Sequence, residues 1–456
     1  MWAMGDGSLR RGLRVPAGLW GGEAVCVAHA RSVSCGSVKD HQLYQQILGI
    51  ESPWKVSAVE LQRDEQEVRV YVERTGRKGL SCPKCDRRCT GYDTREREWR
   101  HLDTMQYRTI LVGRIPRVTC PEHGVLQIHV PWAEPGSRFT ALFEALAIDW
   151  LKEASISSVT GLLGLTWDEL DGIRARAVKR GLSRRGPIEP KTIGVDETAF
   201  QKRHEYVTLV NDLDADTPHV LYVADDRTKS ALDGFYAMLG PEACTKIETI
   251  SMDMWEAYIS STRAHVPEAD QRIVFDKFHI AMHLGDAVDR VRREENRILR
   301  KNGDLRLVGS RYLWLQHPNR MPDDKWVAFE PLRQSSLRTA RAYAIKETVM
   351  ASCWGYRYRA VAERHWERAL SWMMRCRLEP VKRVARMIRA HYDGVLNASV
   401  SDVTNAHSER INEKIQWIKR ISRGFRSRER FRDAIYFHAG GLDLYPEGLG
   451  VTHSNA

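Results

Sequence analysis

The chain has 456 residues, enough for about two to four domains. Lysine and arginine number 70 against 59 acidic residues, so the formal net charge of +11 is a weak indication of a polyanionic partner. No apolar run approaches the roughly 20 residues that a membrane-spanning helix needs, which argues against a membrane protein.

The first segment, residues 1–40, is rich in glycine, arginine and alanine and has no hydrophobic periodicity. It faintly resembles a signal peptide, but Glu23 and several glycines interrupt its apolar part. We therefore predict a poorly ordered extension, and we consider Val38 a possible true translation start.

Residues 41–132 are predicted to form a β-rich zinc-binding domain. Apolar residues alternate with polar ones through 55–73 on both sides of a polar turn, which predicts a hairpin. The alternation returns at 107–118 and 125–130.

Two motifs in this domain have the spacing of metal-binding knuckles, Cys82-Pro-Lys-Cys85 and Cys120-Pro-Glu-His123. A structural Zn²⁺ ion takes four nitrogen or sulfur ligands, which paired knuckles supply. Cys89 and His101 are possible substitute ligands, and chance pairs of buried cysteines are the alternative without metal. We predict no open coordination position, so the zinc would stabilise the fold and take no part in catalysis.

Residues 137–182 are predicted to form a helix-turn-helix DNA-binding domain. A helix fits 138–153, Gly164 supplies a turn after the next helix, and Thr166 with Glu169 has the spacing of a capping box. Inward-facing residues of the last helix would be Leu170, Ile173 and Val178. Its basic residues near phosphates or bases would be Arg174, Arg176, Lys179 and Arg180. A plain helical hairpin inside a core is the alternative.

A basic linker at 181–190 precedes a region, 190–278, that is predicted to form a mixed α/β sheet. The predicted strands are 192–200, 206–213, 219–224, 247–252 and 271–276, and the predicted helices are 228–239 and 254–264. Residues 279–400 are predicted to be almost wholly helical, 401–440 to contain a last helix (402–419) and a basic segment, and 441–456 to form a tail. The tryptophans of the helical region are assigned to its core, with Trp326 stacking on an unpaired base as the alternative.

Three carboxylates are the candidate catalytic residues. Asp196 lies inside an apolar strand, where an unpaired carboxylate is costly unless it binds a metal ion, and Asp253 follows another strand. Glu409 lies on the last helix, which would pack on the sheet. Such a set suits phosphodiester chemistry with two Mg²⁺ (or Mn²⁺) ions, because one ion activates the attacking oxygen and the other stabilises the leaving oxygen. Rival acids are Glu197, Asp225, Asp226, Asp276 and Glu413.

Each carboxylate also has an ordinary explanation: Asp196 as an edge residue, Asp253 as a helix N-cap, and Glu409 as a solvated helix acid. Further basic residues are expected to contact DNA because they lie in the linker, after the third strand, or in and beside the arginine-rich segment 420–432. They are Arg184, Arg185, Arg227, Lys419, Arg420, Arg423, Arg426 and Arg428.

From about Leu43 to Phe437 the chain resembles the ISL-three family of bacterial insertion-sequence transposases. The resemblance rests on the paired knuckles, the helix-turn-helix, Gly-Val-Asp-Glu at 194–197, Ser-Met-Asp-Met-Trp at 251–255, Phe-Asp-Lys-Phe-His at 275–279, and the block from Glu409 to Phe425. It implies a ribonuclease-H-like core with a catalytic triad of Asp196, Asp253 and Glu409, interrupted by an all-helical insertion. The second knuckle departs from the family, since His123 stands where relatives often have Cys.

The expected function is therefore that of a transposase that binds the terminal inverted repeats of its element, cleaves the ends and joins the 3′-hydroxyls to target DNA. The resemblance also implies a homodimer or higher oligomer on double-stranded DNA, at the nucleoid in the bacterial cytoplasm. A non-catalytic DNA-binding regulator and a nuclease without strand transfer are the alternatives.

Overall fold

The computed structural model describes residues 40–76, 79–201, 205–214, 217–401 and 406–447. The predicted N-terminal extension, apart from residue 40, and the end of the predicted tail lie outside the described residues. Among the described helices, none combines the length and the apolar character needed to cross a membrane.

The N-terminal domain is a five-stranded sheet in the order β1-β2-β4-β3, with β5 paired to β4. Its elements are α1 (Asp40–Ile47), β1 (Trp54–Gln62), β2 (Glu67–Arg74), β3 (Thr90–Thr104), β4 (Tyr107–Cys120) and β5 (Gly124–Gln127). The predicted hairpin is confirmed, since β1 and β2 pair antiparallel with Val59 opposite Val70. Their inward side chains pack with Trp99 and Trp132 in one apolar core.

Three helices follow, α2 (Ala141–Glu153), α3 (Ile156–Leu163) and α4 (Trp167–Arg184). The predicted helix-turn-helix pattern is confirmed: Gly164 ends α3 with φ 63°, and Thr166 and Glu169 form the capping box of α4. Helix α4 runs past Gly181, where the linker was predicted to start. Gly181 is explained by packing. A Cβ at this position would lie 2.7 Å from Cβ of Leu442, so only glycine allows the C-terminal segment to pack against α4 here.

The central region is a second five-stranded sheet in the order β10-β9-β6-β7-β8. Its strands are β6 (Thr192–Gln201), β7 (Glu205–Asp212), β8 (His219–Ala224), β9 (Thr249–Met252) and β10 (Ile273–Phe275). Between them lie α5 (Lys229–Leu239), α6 (Pro241–Lys246), α7 (Glu256–His265) and α8 (Ala269–Arg272). The first three strands are antiparallel to one another, whereas β9 and β10 run parallel to β6, so the predicted mixed sheet is confirmed.

Residues 277–400 are almost wholly helical, as predicted. The helices are α9 (Lys277–Lys301), α10 (Arg311–Leu315), α11 (Asp323–Arg333), α12 (Arg338–Ser352), α13 (Arg359–Arg375), α14 (Glu379–Ala390) and α15 (Tyr392–Val400), with a 3₁₀ turn at Pro318–Arg320. Trp314 and Trp366 are fully buried, but Trp372 is 37% exposed, so its assignment to the core was wrong. Two helices end the described chain, α16 (Ala406–Ile421) and α17 (Arg428–Ala439).

The two faces of the central sheet belong to different cores, because successive strand residues point to opposite sides. Ile193 and Val210 face a core built with the helices of 229–400. Leu209 and Val223 face a second core that also contains residues of α2, α3, α4, α16 and α17. We call this second cluster the shared core. It joins the helix-turn-helix directly to the central sheet.

Candidate functional site

The two knuckles bring four potential metal ligands together. Their ligand atoms lie within 4.8 Å of one another, and they belong to Cys82, Cys85, Cys120 and His123. The Sγ atoms of Cys85 and Cys120 are 3.8 Å apart, and Nδ1 of His123 is 3.7 Å from Sγ of Cys82 and 3.6 Å from Sγ of Cys120. A tetrahedron with Zn–S bonds of about 2.3 Å has S···S edges of about 3.8 Å, so the donor set and its size fit a zinc ion.

The local backbone explains how each knuckle turns. Asp86, directly after Cys85, has φ 54°, and Gly124, directly after His123, has φ 70°, so each knuckle ends in a left-handed residue that reverses the chain. The Asp86 N–H donates to the Cys82 carbonyl at 3.0 Å. This backbone turns both ligands of a knuckle towards one point.

The two alternative zinc ligands lie outside this cluster. The Cys89 thiol donates to the Arg87 carbonyl at 3.3 Å. His101 is buried, its Nδ1 lies 2.8 Å from Oγ1 of Thr140, and burial lowers its pKa to about 4. His101 therefore connects the first domain to the N-terminus of α2 and is no substitute ligand.

The sheet order brings the strand that carries Asp196 beside the strand that precedes Asp253. Strand β6 pairs with β9 so that Ile193 is opposite Ile250 and Gly194 is opposite Ser251. The pairing ends there, and the same register continued by two residues would place Asp196 opposite Asp253, across strands about 4.8 Å apart. Because Ile193 and Val195 point into the core on the other face, Asp196 points towards the side of the sheet that α16 covers.

A contact that the sequence did not predict ties α16 to Asp196. The Asn412 side-chain amide donates to Oδ2 of Asp196 at 2.7 Å, and the Glu197 backbone N–H donates to Oδ1 at 2.7 Å. Further along the same two elements, Lys419 Nζ donates to Oγ1 of Thr198 at 2.6 Å. One face of α16 therefore lies along β6.

Glu409 lies one turn before Asn412 on α16. At about 100° per residue it is about 60° around the helix from Asn412, whereas Glu413 is about 100° away. Both glutamates are exposed. Among the groups that the structure describes, the four knuckle residues meet metal-ligand spacing, but the set of Asp196, Asp253 and Glu409 does not. On α16, Glu409 therefore lies closer in angle to Asn412 than Glu413 does.

Asp253 sits where β9 passes into α7. Its Oδ1 accepts the Met254 N–H at 2.6 Å, and Nδ1 of His279 lies 3.4 Å from Oδ2. Nε2 of His279 also lies 4.0 Å from a carboxylate oxygen of Asp276. Asp276 itself caps α9 by accepting the Phe278 N–H at 2.6 Å, which explains this acid without a metal.

Glu197 and Arg227 form a charged pair beside the two aspartates. Nη1 of Arg227 donates to Oε1 of Glu197 at 3.2 Å, and the guanidinium lies 4.7 Å from the Tyr206 ring centre and 4.9 Å from that of Trp255. Burial raises the pKa of Glu197, Arg227 opposes this effect, and Asp253 and Asp196 raise the pKa further. Acidic side chains therefore cluster at this edge of the sheet, beside one arginine that Glu197, Tyr206 and Trp255 hold in place.

The remaining rival acids have structural partners. Asp226 accepts the Thr228 N–H at 3.0 Å at the start of α5. Asp225 pairs with Arg432 at 3.4 Å. These contacts account for both carboxylates without a metal ion.

The helix-turn-helix corrects part of the predicted basic surface. Arg174 and Arg180 are buried, contrary to the prediction that they remain near phosphates. Arg174 pairs with Asp171, and Arg180 pairs with Glu134 at 2.6 Å and Glu144 at 3.0 Å. Arg176 is half-buried and donates through Nε to Glu144 at 3.0 Å, and Lys179 is exposed.

The other predicted basic residues divide into two groups. Arg184 donates to Asp443 at 3.0 Å, Arg185 to the Leu221 carbonyl at 2.9 Å, and Arg428 to Glu205 at 3.3 Å. The exposed basic residues that follow Lys419 are Arg420, Arg423 and Arg426. The predicted basic segment is thus a short exposed stretch followed by α17, whose apolar side is buried in the shared core.

Comparison with known proteins gives matches along most of the chain. A family model described as transposase matches residues 193–435, more than half of the chain. A helix-turn-helix domain of transposase family ISL3 matches 128–178, and a zinc-finger of the transposases of IS204, IS1001, IS1096 and IS1165 matches 79–123.

Individual relatives agree with these domain matches. The transposase for insertion sequence element IS1557 from Mycobacterium tuberculosis is 26% identical over 427 residues, covering 86% of this chain and 93% of that transposase. The transposase for IS1001 from Bordetella parapertussis is 26% identical over 372 residues, covering 79% of this chain and 89% of that relative.

Proposed function

This chain belongs to the ISL3 family of transposases, and we propose that it cuts DNA at the ends of its insertion sequence and joins the freed 3′-hydroxyls to target DNA. The proposal assigns catalysis to Asp196, Asp253 and Glu409. Its main support is the parallel pairing of β6 and β9, which runs side by side to within two residues of each aspartate, together with the Asn412–Asp196 hydrogen bond, which ties the helix of Glu409 to β6. The mixed sheet, in the order β10-β9-β6-β7-β8, is proposed to be a ribonuclease-H-like core.

The three carboxylates would hold divalent metal ions, Mg²⁺ or Mn²⁺, through oxygen. Oxygen ligands suit these hard cations, and the chemistry they supply is activation of an attacking hydroxyl and stabilisation of the leaving oxygen. Asn412 keeps the Asp196 carboxylate oriented from one side, and the backbone of Glu197 does so from the other. Arg227, held between Tyr206 and Trp255, lies ready to pair with a phosphate once it leaves Glu197.

The other two modules would serve DNA binding. Cys82, Cys85, Cys120 and His123 are proposed to hold one structural Zn²⁺ ion, because their spacing fits a tetrahedron of sulfur and nitrogen. The helix-turn-helix is proposed to bind the terminal inverted repeats. A homodimer or higher oligomer would bring two ends together, and the protein would act in the bacterial cytoplasm at the nucleoid.

The test uses purified full-length protein, a duplex carrying the inverted repeat that flanks its gene, and a supercoiled target plasmid. With Mg²⁺ we expect nicked end products and, after longer incubation, joined products. Asp196→Asn, Asp253→Asn and Glu409→Gln should each remove cleavage but keep duplex binding. Glu413→Gln is the matched control on the same helix and should cleave normally.

Each other outcome has a definite meaning. Binding without cleavage by the wild type would favour a DNA-binding regulator derived from a transposase. Cleavage without joining would favour a nuclease. Normal cleavage by Glu409→Gln together with loss of cleavage in Glu413→Gln would move the third carboxylate by one helical turn.

A further inference from the structure

A large groove lies between the helix-turn-helix and the segment that follows α16. It has a volume of about 1090 Å³ and is lined on one side by Ser155 to Ser158 and Trp167, and on the other by Ile421 to Arg426, with Arg430 between. Phe200, at the end of the strand that carries Asp196, also lines it. We call this cavity the junction groove.

Its net charge is positive. Four arginines line it, Arg174, Arg423, Arg426 and Arg430, and none of the residues that line it is acidic. Two of the four are paired with acids of α4 behind the wall: Arg174 with Asp171, and Arg430 with Asp171 at 2.8 Å and Asp168 at 3.4 Å. Arg423 and Arg426 on the rim are exposed, so their charges are free to meet an anionic ligand.

The innermost arginine of the groove belongs to the fold. Arg174 is 4% exposed, and its Nε has no hydrogen-bond partner among the residues that the structure describes. Its Nη2 donates to the Arg430 carbonyl at 3.3 Å. Its pairing with Asp171 leaves Arg174 a structural part of the groove wall, so the arginines available to an anionic ligand are Arg423 and Arg426.

The opposite wall adds neutral donors. Ser155 caps α3, and Ser157 and Ser158 are exposed at its first turn. The first N–H groups of a helix have no partner within the helix and lie at its positive end, which favours a phosphate. Trp167 lies beneath the Arg430 guanidinium, 4.5 Å from its ring centre, and fixes that side chain.

We propose that the junction groove binds the sugar–phosphate backbone of duplex DNA beside the bond that the carboxylates cut. The inference rests on the proposed function for the identity of that bond. Phe200 is four residues from Asp196 along β6, about 13 Å at 3.3 Å per residue. That length spans about four base-pair steps of 3.4 Å. The contacted phosphates should therefore lie within about five base pairs of the cleaved bond.

The experiment measures duplex binding as a function of salt, without added Mg²⁺, by fluorescence anisotropy. The double variant Arg423→Ala/Arg426→Ala should flatten the slope of log K against log salt by about 1.8, because each lost phosphate contact removes about 0.9. At 0.15 M salt this corresponds to roughly 30-fold weaker binding. The control Arg368→Ala/Arg389→Ala removes the same charge from exposed sites on α13 and α14, and it should keep the wild-type slope.

A second variant tests the groove by a change that the fold should tolerate. Ser157→Glu adds a negative charge at the groove rim, where the helix dipole of α3 favours it, so the fold should persist while DNA binding weakens. In ethylation interference on the end duplex, the same phosphates should cease to affect binding in both groove variants. An unchanged slope and unchanged interference pattern would overturn the proposal.

Two outcomes separate this inference from others. Inorganic phosphate at equal ionic strength should compete with the duplex no better than chloride, and strong competition at millimolar concentration would overturn the proposal in favour of a small-anion site. Failure of the wild type to cleave with Mg²⁺ would count against the proposed function alone, because the slope is measured without metal.

Discussion

Replacing Arg180 tests whether the buried arginines of α4 hold the fold or bind DNA. Its guanidinium donates through Nε and Nη2 to both oxygens of Glu134 at 2.6 Å, through Nη2 to Glu144 at 3.0 Å, and to the Leu444 carbonyl. Only 6% of the Arg180 side chain and 1% of the Glu144 side chain are exposed. Breaking such a pair leaves a buried charge without its partner, which costs about 3–5 kcal/mol.

For Arg180→Met we expect the lower end of that range, about 3 kcal/mol. Glu144 keeps Arg176 at 3.0 Å and the Ser137 hydroxyl at 2.8 Å, so its charge stays partly compensated. The loss is measured by urea unfolding of the full chain, followed by tryptophan fluorescence. The matched control, Lys179→Met, alters the exposed neighbour and should change stability by less than about 0.5 kcal/mol.

DNA binding by the same two variants completes this test. Arg180→Met should keep the wild-type salt slope after correction for the folded fraction, because its guanidinium does not reach solvent. The reasoning is refuted if Arg180→Met is as stable as Lys179→Met and its salt slope is flatter than that of the wild type.

Three further predictions concern the zinc centre, a buried histidine and the contact to Asp196. We expect atomic absorption to detect zinc in the wild type and in Cys89→Ser but not in Cys85→Ser, and equal loss in both variants would contradict the assigned ligands. His101 is neutral in the folded protein above its pKa of about 4. The free energy of unfolding should therefore fall as pH drops below about 6.5, by about 1.4 kcal/mol per pH unit, until the folded pKa is reached. His101→Asn should flatten this pH dependence in urea titrations at several pH values, and an unchanged dependence would rule this cause out. Asn412→Leu removes a hydrogen bond to the Asp196 carboxylate and should slow cleavage at least about tenfold with unchanged duplex affinity, whereas wild-type rates would show that the contact does not orient Asp196.

The central sheet was predictable because its strands carry strong local patterns. Alternating apolar residues predicted β6 and β7 to within one residue at each end, and the same reasoning gave β8 its observed bounds. The knuckles were also local, since each pair of ligands is three residues apart in sequence. Each of these features depends on neighbours along the chain.

The buried arginines were not predictable from local patterns. On a helical projection both Arg174 and Arg180 look like exposed basic residues. The partners of Arg180, Glu134 and the Leu444 carbonyl, are distant in sequence. Arg174 has a local partner in Asp171, but the Arg430 carbonyl that it also contacts lies far along the chain. The Asn412 contact has the same character, since it joins residues 216 positions apart. An arginine's sequence position alone does not distinguish a phosphate ligand from a buried ion pair.

The shared core fixes the distance between the helix-turn-helix and the strand that carries Asp196. The helix-turn-helix and the strand face beside Asp196 pack around the same buried residues, so the element that we propose to read DNA does not swing independently of the element that we propose to cut it. A constant spacing between these two elements implies a constant spacing between the two DNA positions that they contact. Five base pairs inserted between the recognised sequence and the cut site would turn the scissile phosphate to the far side of the duplex, since a full turn takes about 10.5 base pairs. If the proposed cleavage takes place, its position would be set by the protein's geometry, without contacts to the bases at the cut.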